Sequence, residues 1–270
     1  MNPGLAHLLQ SHWEPIPSIA IGLITMTGAY LWARKFQFDW KTYSFLLAIV
    51  LLWLGLMSPL DELGDQYLFS AHMLQHMILE FIGPALLVVS LSEEMVERWL
   101  KIPAIRQTET VLGNPVLALS VATIVMLGWH VPPIYQITLE NETVHIIEHI
   151  TYMVSGVMLW WPAFKPISEG RLKPMPATLY LTTAAFLASI LGMVYTISDV
   201  PFYMAYAHPY DQHNLLPLLR DEWGLNHLED QKLGGAIMWV ICTLNFFWAL
   251  MAVMVEWLAE REGDDVKSTT

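Results

Sequence analysis

Seven stretches of the chain are dominated by apolar residues: 18–33, 42–60, 66–91, 115–130, 143–164, 176–198 and 230–259. A hydrocarbon core about 30 Å thick needs roughly 20 residues of helix. The pattern therefore predicts an all-α, polytopic membrane protein with seven transmembrane helices. Polar residues enter early in the third stretch, and Pro59, Pro115, Pro162 and Pro176 fall near the ends, where proline costs least.

The connections between these stretches set a direction. Excess Lys and Arg stay on the cytoplasmic side of a membrane. Arg34, Lys35 and Lys41 flank the first connection. Arg98, Lys101 and Arg106 lie in the third, Lys165, Arg171 and Lys173 in the fifth, and Arg261 and Lys267 follow the last span. Eleven of the 13 basic residues thus share one side of the alternation, and only Arg220 and Lys232 fall on the other. The N-terminus is expected outside and the C-terminus in the cytoplasm. Thirteen acidic residues against those two basic ones give the outer side a field that attracts cations.

Composition agrees with the pattern. The chain of 270 residues is 55% hydrophobic and only 14% charged, against about 25% charged in a typical soluble domain. No repeat or low-complexity segment divides it, so residues 1–270 are expected to form a single membrane domain. One cysteine, Cys242, excludes an internal disulfide and a CxxC site, and its apolar surroundings suit a small packed hydrophobe. The first thirteen residues carry no Lys or Arg and do not read as a removable signal peptide.

With the topology set, all ten histidines fall on the outer side. His7 and His12 lie in the N-terminal tail. His72 and His76 open the third span, His130 ends the fourth, and His145 and His149 open the fifth. His208, His213 and His227 lie in the acidic loop 199–229, where solvation is the simpler expectation. His72 and His76 are four apart and share a helix face, as do His145 and His149. Two imidazoles at that spacing can hold one metal ion, and His130 can add a fifth. Met73 and Met77 follow the paired histidines and are positioned to flank the site or to pack. Imidazole suits copper, zinc and iron, and thioether adds a preference for Cu(I). Glu80 continues the face of His72 and His76 one turn deeper, where an ionisable group is a functional candidate or a helix-bonding group. Asp230 is a candidate second acceptor for an imidazole or the N-cap of the seventh span.

Other motifs are weak or absent. His145-Ile-Ile-Glu148-His149 matches the HxxEH string of inverted zinc peptidases, a match that fixes only three positions. No Walker loop, GxGxxG or GxSxG appears, and the scattered basic residues do not suggest nucleic-acid binding.

Several strings occur together in a recognisable order: Ala71-His72-Met73-Leu74-Gln75-His76, Trp129-His130-Val131-Pro132, His145-x-x-Glu148-His149, Trp160-Trp161-Pro162, and Asp230-Gln231-Lys232-Leu233-Gly234-Gly235 running on to Trp239. From about Pro59 to Glu256 the chain resembles the multi-span CtaG family of cytochrome c oxidase assembly factors. The resemblance implies a bacterial inner-membrane protein that helps assemble a haem–copper oxidase subunit; ligand exchange needs no catalytic chemistry, so it is not expected to be an enzyme. Copper supply is the usual proposal for the family. Its motif residues carry over onto His72, His76, His130, His145, His149, Asp230 and Gln231. On this reading Cu(I) would arrive from an outer copper chaperone, with Glu148 and Asp230 orienting imidazoles. The alternatives are a bis-histidine haem protein, an intramembrane zinc hydrolase using Glu148 or Glu80, and a metal-free chaperone of the oxidase.

Overall fold

The computed structural model describes residues 3–13 and 16–268, and it contains helices and no strand among them. Four described helices are both long and apolar enough to cross a membrane: Trp40–Met57, Phe69–Ser90, Pro174–Ile197 and His227–Glu262. A fifth span arises if Pro103–Leu112 and Pro115–Trp129 count together, although they bend by 73° where they meet. The other predicted stretches are helical too. Pro17–Ala33 is apolar but shorter, and Glu142–Phe164 has the length, with Glu142, His145, Glu148 and His149 in its first turns. Length and apolarity thus yield four or five spans where the sequence pattern counts seven.

Local chemistry sets the helix starts. Asp39 accepts from Thr42 N at 3.1 Å, Asn114 from Val116 N at 3.0 Å, and Asn141 from Val144 N at 3.2 Å. Asn226 does the same for the last helix, accepting from Leu228 N and Glu229 N. Each side chain satisfies amide groups that the first turn leaves free. Prolines occupy the first turn of Pro17–Ala33, Pro115–Trp129 and Pro174–Ile197, where the missing N–H is harmless.

The third predicted span begins later than its polarity suggests. Leu63–Tyr67 winds as a π-helix, Leu68 is extended, and the regular helix starts at Phe69. A second π-helical segment, Met77–Ile82, follows His76. Pro84 lies just beyond it and has no N–H for the carbonyl of Glu80, four residues earlier, which fits the widened turn.

Phe69–Ser90 is the central helix, with 67% of its apolar window buried, against 39% for Trp40–Met57, 33% for Pro174–Ile197 and 28% for the last helix. Large apolar side chains stand exposed on the outer helices, including Ile24, Trp32, Val116, Phe186, Leu179 and Trp248, each more than 60% accessible. Exposure of this breadth marks a surface that meets lipid.

Apart from Arg220, which bonds Tyr206, and Lys232, which pairs with Asp199 and Glu229, the paired basic residues lie away from the histidines. Phe69–Ser90 and Glu142–Phe164 both start at the histidine end. Beyond the far end of the latter, Lys165 is buried against Glu109 at 2.7 Å, Arg106 pairs with Glu169, and Arg171 with Glu256.

The last two long helices touch backbone to backbone. A Cβ at Gly192 would lie 2.7 Å from Trp239 N, and one at Gly235 would lie 2.6 Å from Gly192 O and Thr196 N. Gly192→Val is expected to push these helices apart at a cost of about 1–3 kcal/mol. Thermal unfolding in detergent checks this: a clear fall in midpoint is expected, and an unchanged midpoint would show that the contact is slack.

Candidate metal site

Four imidazoles form a square between two parallel helix starts. His72 and His76 sit on successive turns with ring centroids 4.2 Å apart, and His145 and His149 with centroids 4.1 Å apart. Across the gap, His72 stacks on His145 at 5.5 Å and His76 meets His149 edge-on at 6.0 Å. The i,i+4 spacing puts each pair on one face, and the packing of the two helices turns those faces together.

Two carboxylates complete the square. Asp65 reaches both sides of it, with Oδ1 3.3 Å from His72 Nδ1 and Oδ2 3.4 Å from His145 Nδ1. Glu148 lies deeper, with Oε1 3.7 Å from His76 Nε2. At this site two sets have one donor atom per residue within 4.8 Å of the others: Asp65, His72 and His145, and then His72, His76 and Glu148. His72 belongs to both. Exposure falls along the series, from 30% for the Asp65 side chain through 11% for His145 to 0% for His72, His76 and Glu148.

Much of this polarity lacks a well-formed hydrogen bond. Both nitrogens of His72 and of His76, Nε2 of His145 and of His149, and both carboxylate oxygens of Glu148 are buried without one, although Asp65 stands beside His72 Nδ1 and Glu148 beside His76 Nε2. A buried polar group left unpaired costs about 1–3 kcal/mol, so these atoms are available to water or to a bound ion.

His130 caps Pro115–Trp129 at the edge of the square, 5.7 Å from the His76 ring. Its Nδ1 lies 2.7 Å from Met126 O. A carbonyl only accepts, so Nδ1 carries the proton and Nε2 presents its lone pair. Met73 Sδ lies 3.3 Å from that Nε2. Two electron-pair donors thus face each other. Met77 points elsewhere, with Sδ 3.6 Å from Cys242 Sγ in the apolar core.

The remaining predicted residues do other work. Asp230 does not meet an imidazole and does not cap its own helix. Its carboxylate accepts from Phe69 N at 2.8 Å, from Ser70 N at 3.2 Å and from Ser70 Oγ at 2.6 Å. It therefore caps the histidine helix from across the bundle. Gln231 accepts from Phe202 N at 2.6 Å and donates to Val200 O at 3.1 Å, which ties down the loop before the last helix. Glu80 is buried but lies apart from the square, beside Phe81, Leu119, Met126 and Leu159. The π-helical winding after His76 takes it off the histidine face.

The sequence pattern singles out neither Asp65 nor a further acid, Asp61. Asp61 accepts a hydrogen bond from Gln75, which lies between His72 and His76 in the chain and also donates to Gly55 O. The signal was present as three acids at 61, 62 and 65, but as mere surface charge it had no address. Tyrosines wall the site: Tyr135 and Tyr206 share a 2.7 Å bond, Tyr206 donates to Gly64 O, and Tyr203 donates to His130 O. Of the loop histidines, His208 is exposed, while His227 bonds Tyr203 O through Nε2 at 2.8 Å.

Residues 24–260 match the family described as cytochrome c oxidase caa3 assembly factor (Caa3_CtaG). Among curated proteins, the chain is 22% identical over 210 residues to the uncharacterized protein Mb0105 of Mycobacterium bovis and, to the same extent, to the uncharacterized protein MT0111 of Mycobacterium tuberculosis. These alignments cover 70% of this chain but only 30% of each relative's length. No solved structure matches the chain significantly.

Two predictions follow from the supports of the site. Asp230→Ala strands the amides of Phe69 and Ser70 and is expected to lose about 1–3 kcal/mol, while Asp230→Asn, which keeps one acceptor oxygen, loses less; melting temperatures of the two variants test the order. The second concerns Asp61. Burial, with the charge of Asp65 beside it, pushes its carboxyl up to about 7. A raised value means that the stability contributed by the neutral acid is complete below the ordinary carboxylate range and is lost as pH rises through 7. Asp61→Asn cannot ionise, so its melting temperature should gain on the wild type from about pH 4 to pH 7 and hold level above. A gap that narrows with rising pH would show a carboxylate held charged instead.

Proposed function

Because the chain belongs to the family of cytochrome c oxidase caa3 assembly factors, we propose that it serves oxidase assembly by holding and passing on copper. The single observation that carries this reading is the convergence of buried donors without a hydrogen bond on His72, His76, His145, His149 and Glu148. Imidazoles and carboxylates gathered this way are what a bound cation satisfies. The pairing of His130 Nε2 with Met73 Sδ favours a soft ion, and Cu(I) is the soft ion that a copper-containing oxidase requires.

The geometry supports transfer by ligand exchange rather than catalysis. A cation received at Asp65, His72 and His145, the more exposed set, moves inward by keeping His72 and exchanging the other two ligands for His76 and Glu148. No bond is made or broken other than coordination bonds. Hydrolysis by a zinc-bound water would need an open, water-accessible position, and burial of His72, His76 and Glu148 does not favour one. The close imidazole packing likewise leaves no slot between the rings for a haem.

In this reading the protein has seven spans in a bacterial inner membrane, with the histidine end on the outer side. Copper comes from an outer carrier and goes to a haem–copper oxidase subunit. The one-sided distribution of Lys and Arg supports that orientation. The protein is then not an enzyme.

The test is the copper content of detergent-purified protein after anaerobic incubation with Cu(I), alongside an absorption spectrum. The His72→Ala/His149→Ala double variant is expected to lose the deep copper and to abolish support of oxidase activity in cells. Unchanged copper content and oxidase activity would overturn the reading, and a Soret band would replace copper by haem.

A further inference from the structure

Three histidines that the deep site does not use meet at the surface. His7 and His12 belong to the N-terminal segment, and His213 to the loop more than two hundred residues later. Their ring centroids are 4.6 Å apart for His12 and His213, 5.8 Å for His7 and His213, and 6.1 Å for His7 and His12. One nitrogen from each lies within 4.8 Å of the other two.

Each element that brings them together is held in place. The helix Pro3–Ser11 docks through Leu8, which is fully buried against Tyr67, Leu68, Leu215 and Leu219. Leu8 faces inward, and its neighbour His7 is exposed beside the loop. Trp13 stacks on Trp53 at 5.1 Å and anchors the chain just past His12. On the other side, Asp211 accepts from Leu215 N at 2.7 Å and Leu216 N at 3.1 Å, and Asn214 takes a left-handed φ of 53°. This tight turn presents His213, whose amide donates to Tyr67 Oη at 3.2 Å.

The surroundings suit a cation. Glu62 Oε1 lies 3.5 Å from His213 Nε2, and Gln212 bridges the two. A cavity of about 60 Å³ beside the cluster is lined by His12, Ser58, Asp61 and Glu62 on one part and by Ile16, Leu56 and Met57 on the rest. Asp61 in turn bonds Gln75 on the histidine helix. Acidic groups therefore run from the surface histidines toward Asp65 and the deep square. Three imidazoles this close repel when protonated, whereas neutral rings offer a first-row transition metal three nitrogen ligands. His7 and His12 also lie outside the 24–260 family match, so the cluster depends on a segment that the family description does not cover.

We propose that His7, His12 and His213 form a second metal site, selective for copper or zinc ions, with Glu62 as the adjoining carboxylate. The site loads from water and stands at the head of the acidic path inward. Its role as a port rests on the copper reading above; its capacity to bind a metal does not.

The experiment uses full-length protein in detergent, titrated separately with Cu(II), with Zn(II) and, under anaerobic conditions, with Cu(I); metal content and Cu(II) electron paramagnetic resonance are the readouts. Four proteins are compared: wild type, His213→Ala, His7→Ala/His12→Ala, and His72→Ala. Both surface variants are expected to lose one bound equivalent and the signal of a nitrogen-ligated Cu(II), while keeping Cu(I) uptake at the deep site. His72→Ala is expected to keep that signal. Unchanged stoichiometry and an unchanged signal in the surface variants would overturn the proposal. Loss of the deep copper reading alone would show instead as unaltered Cu(I) uptake in His72→Ala. Gel filtration and melting temperature establish that each variant is folded, and His213→Gln, which preserves polarity, serves as a second version of the loop variant.

Discussion

The carboxylate of Asp230 on the first amides of Phe69–Ser90 is the contact on which the histidine end is organised. A helix N-terminus carries unpaired N–H groups and partial positive charge, and the extended Leu68 before Phe69 supplies no side-chain oxygen of its own. The acceptor comes from a helix that begins more than 150 residues later. Holding it there demands close approach: a Cβ at Gly234 would lie 2.5 Å from the Phe69 ring. Phe69 then stacks on Tyr203 at 5.0 Å, and Tyr203 reaches the backbone of His130. A single acid thereby sets the register of the helix that displays His72 and His76 and, through the tyrosines, the place of His130.

Around this frame, polarity in an apolar bundle is handled in two ways. Several supporting groups are paired: Asp230 with Phe69 and Ser70, Gln231 with Phe202 and Val200, Tyr135 with Tyr206. Where imidazoles and carboxylates converge, several atoms are left without a hydrogen bond.

Much of this was legible in the chain. Helical periodicity put His72 with His76 and His145 with His149, and both pairs do share a face. The apolar runs located the helices, although the polar residues of the site itself lower the apolarity of Glu142–Phe164. What could not be read depends on contacts between distant segments. Asp230 looked like a local cap or an imidazole partner because its true partners lie in another helix. Asp65 looked like surface charge because a π-turn and the break at Leu68 separate it from His72. Glu80 seemed to extend the histidine stripe because a regular α-helix was assumed through Met77–Ile82. His213 joins His7 and His12 only through the docking of Leu8, which no spacing rule reports.

His72 is common to both deep donor sets, and this has a consequence for traffic. An imidazole nitrogen donates one lone pair, and the two positions it serves crowd against the same ring. The outer and inner positions therefore compete wherever both draw on the same His72 nitrogen. On the copper reading, a cluster that shares His72 in this way would act as a turnstile rather than a reservoir, with one ion handed on before the next is admitted.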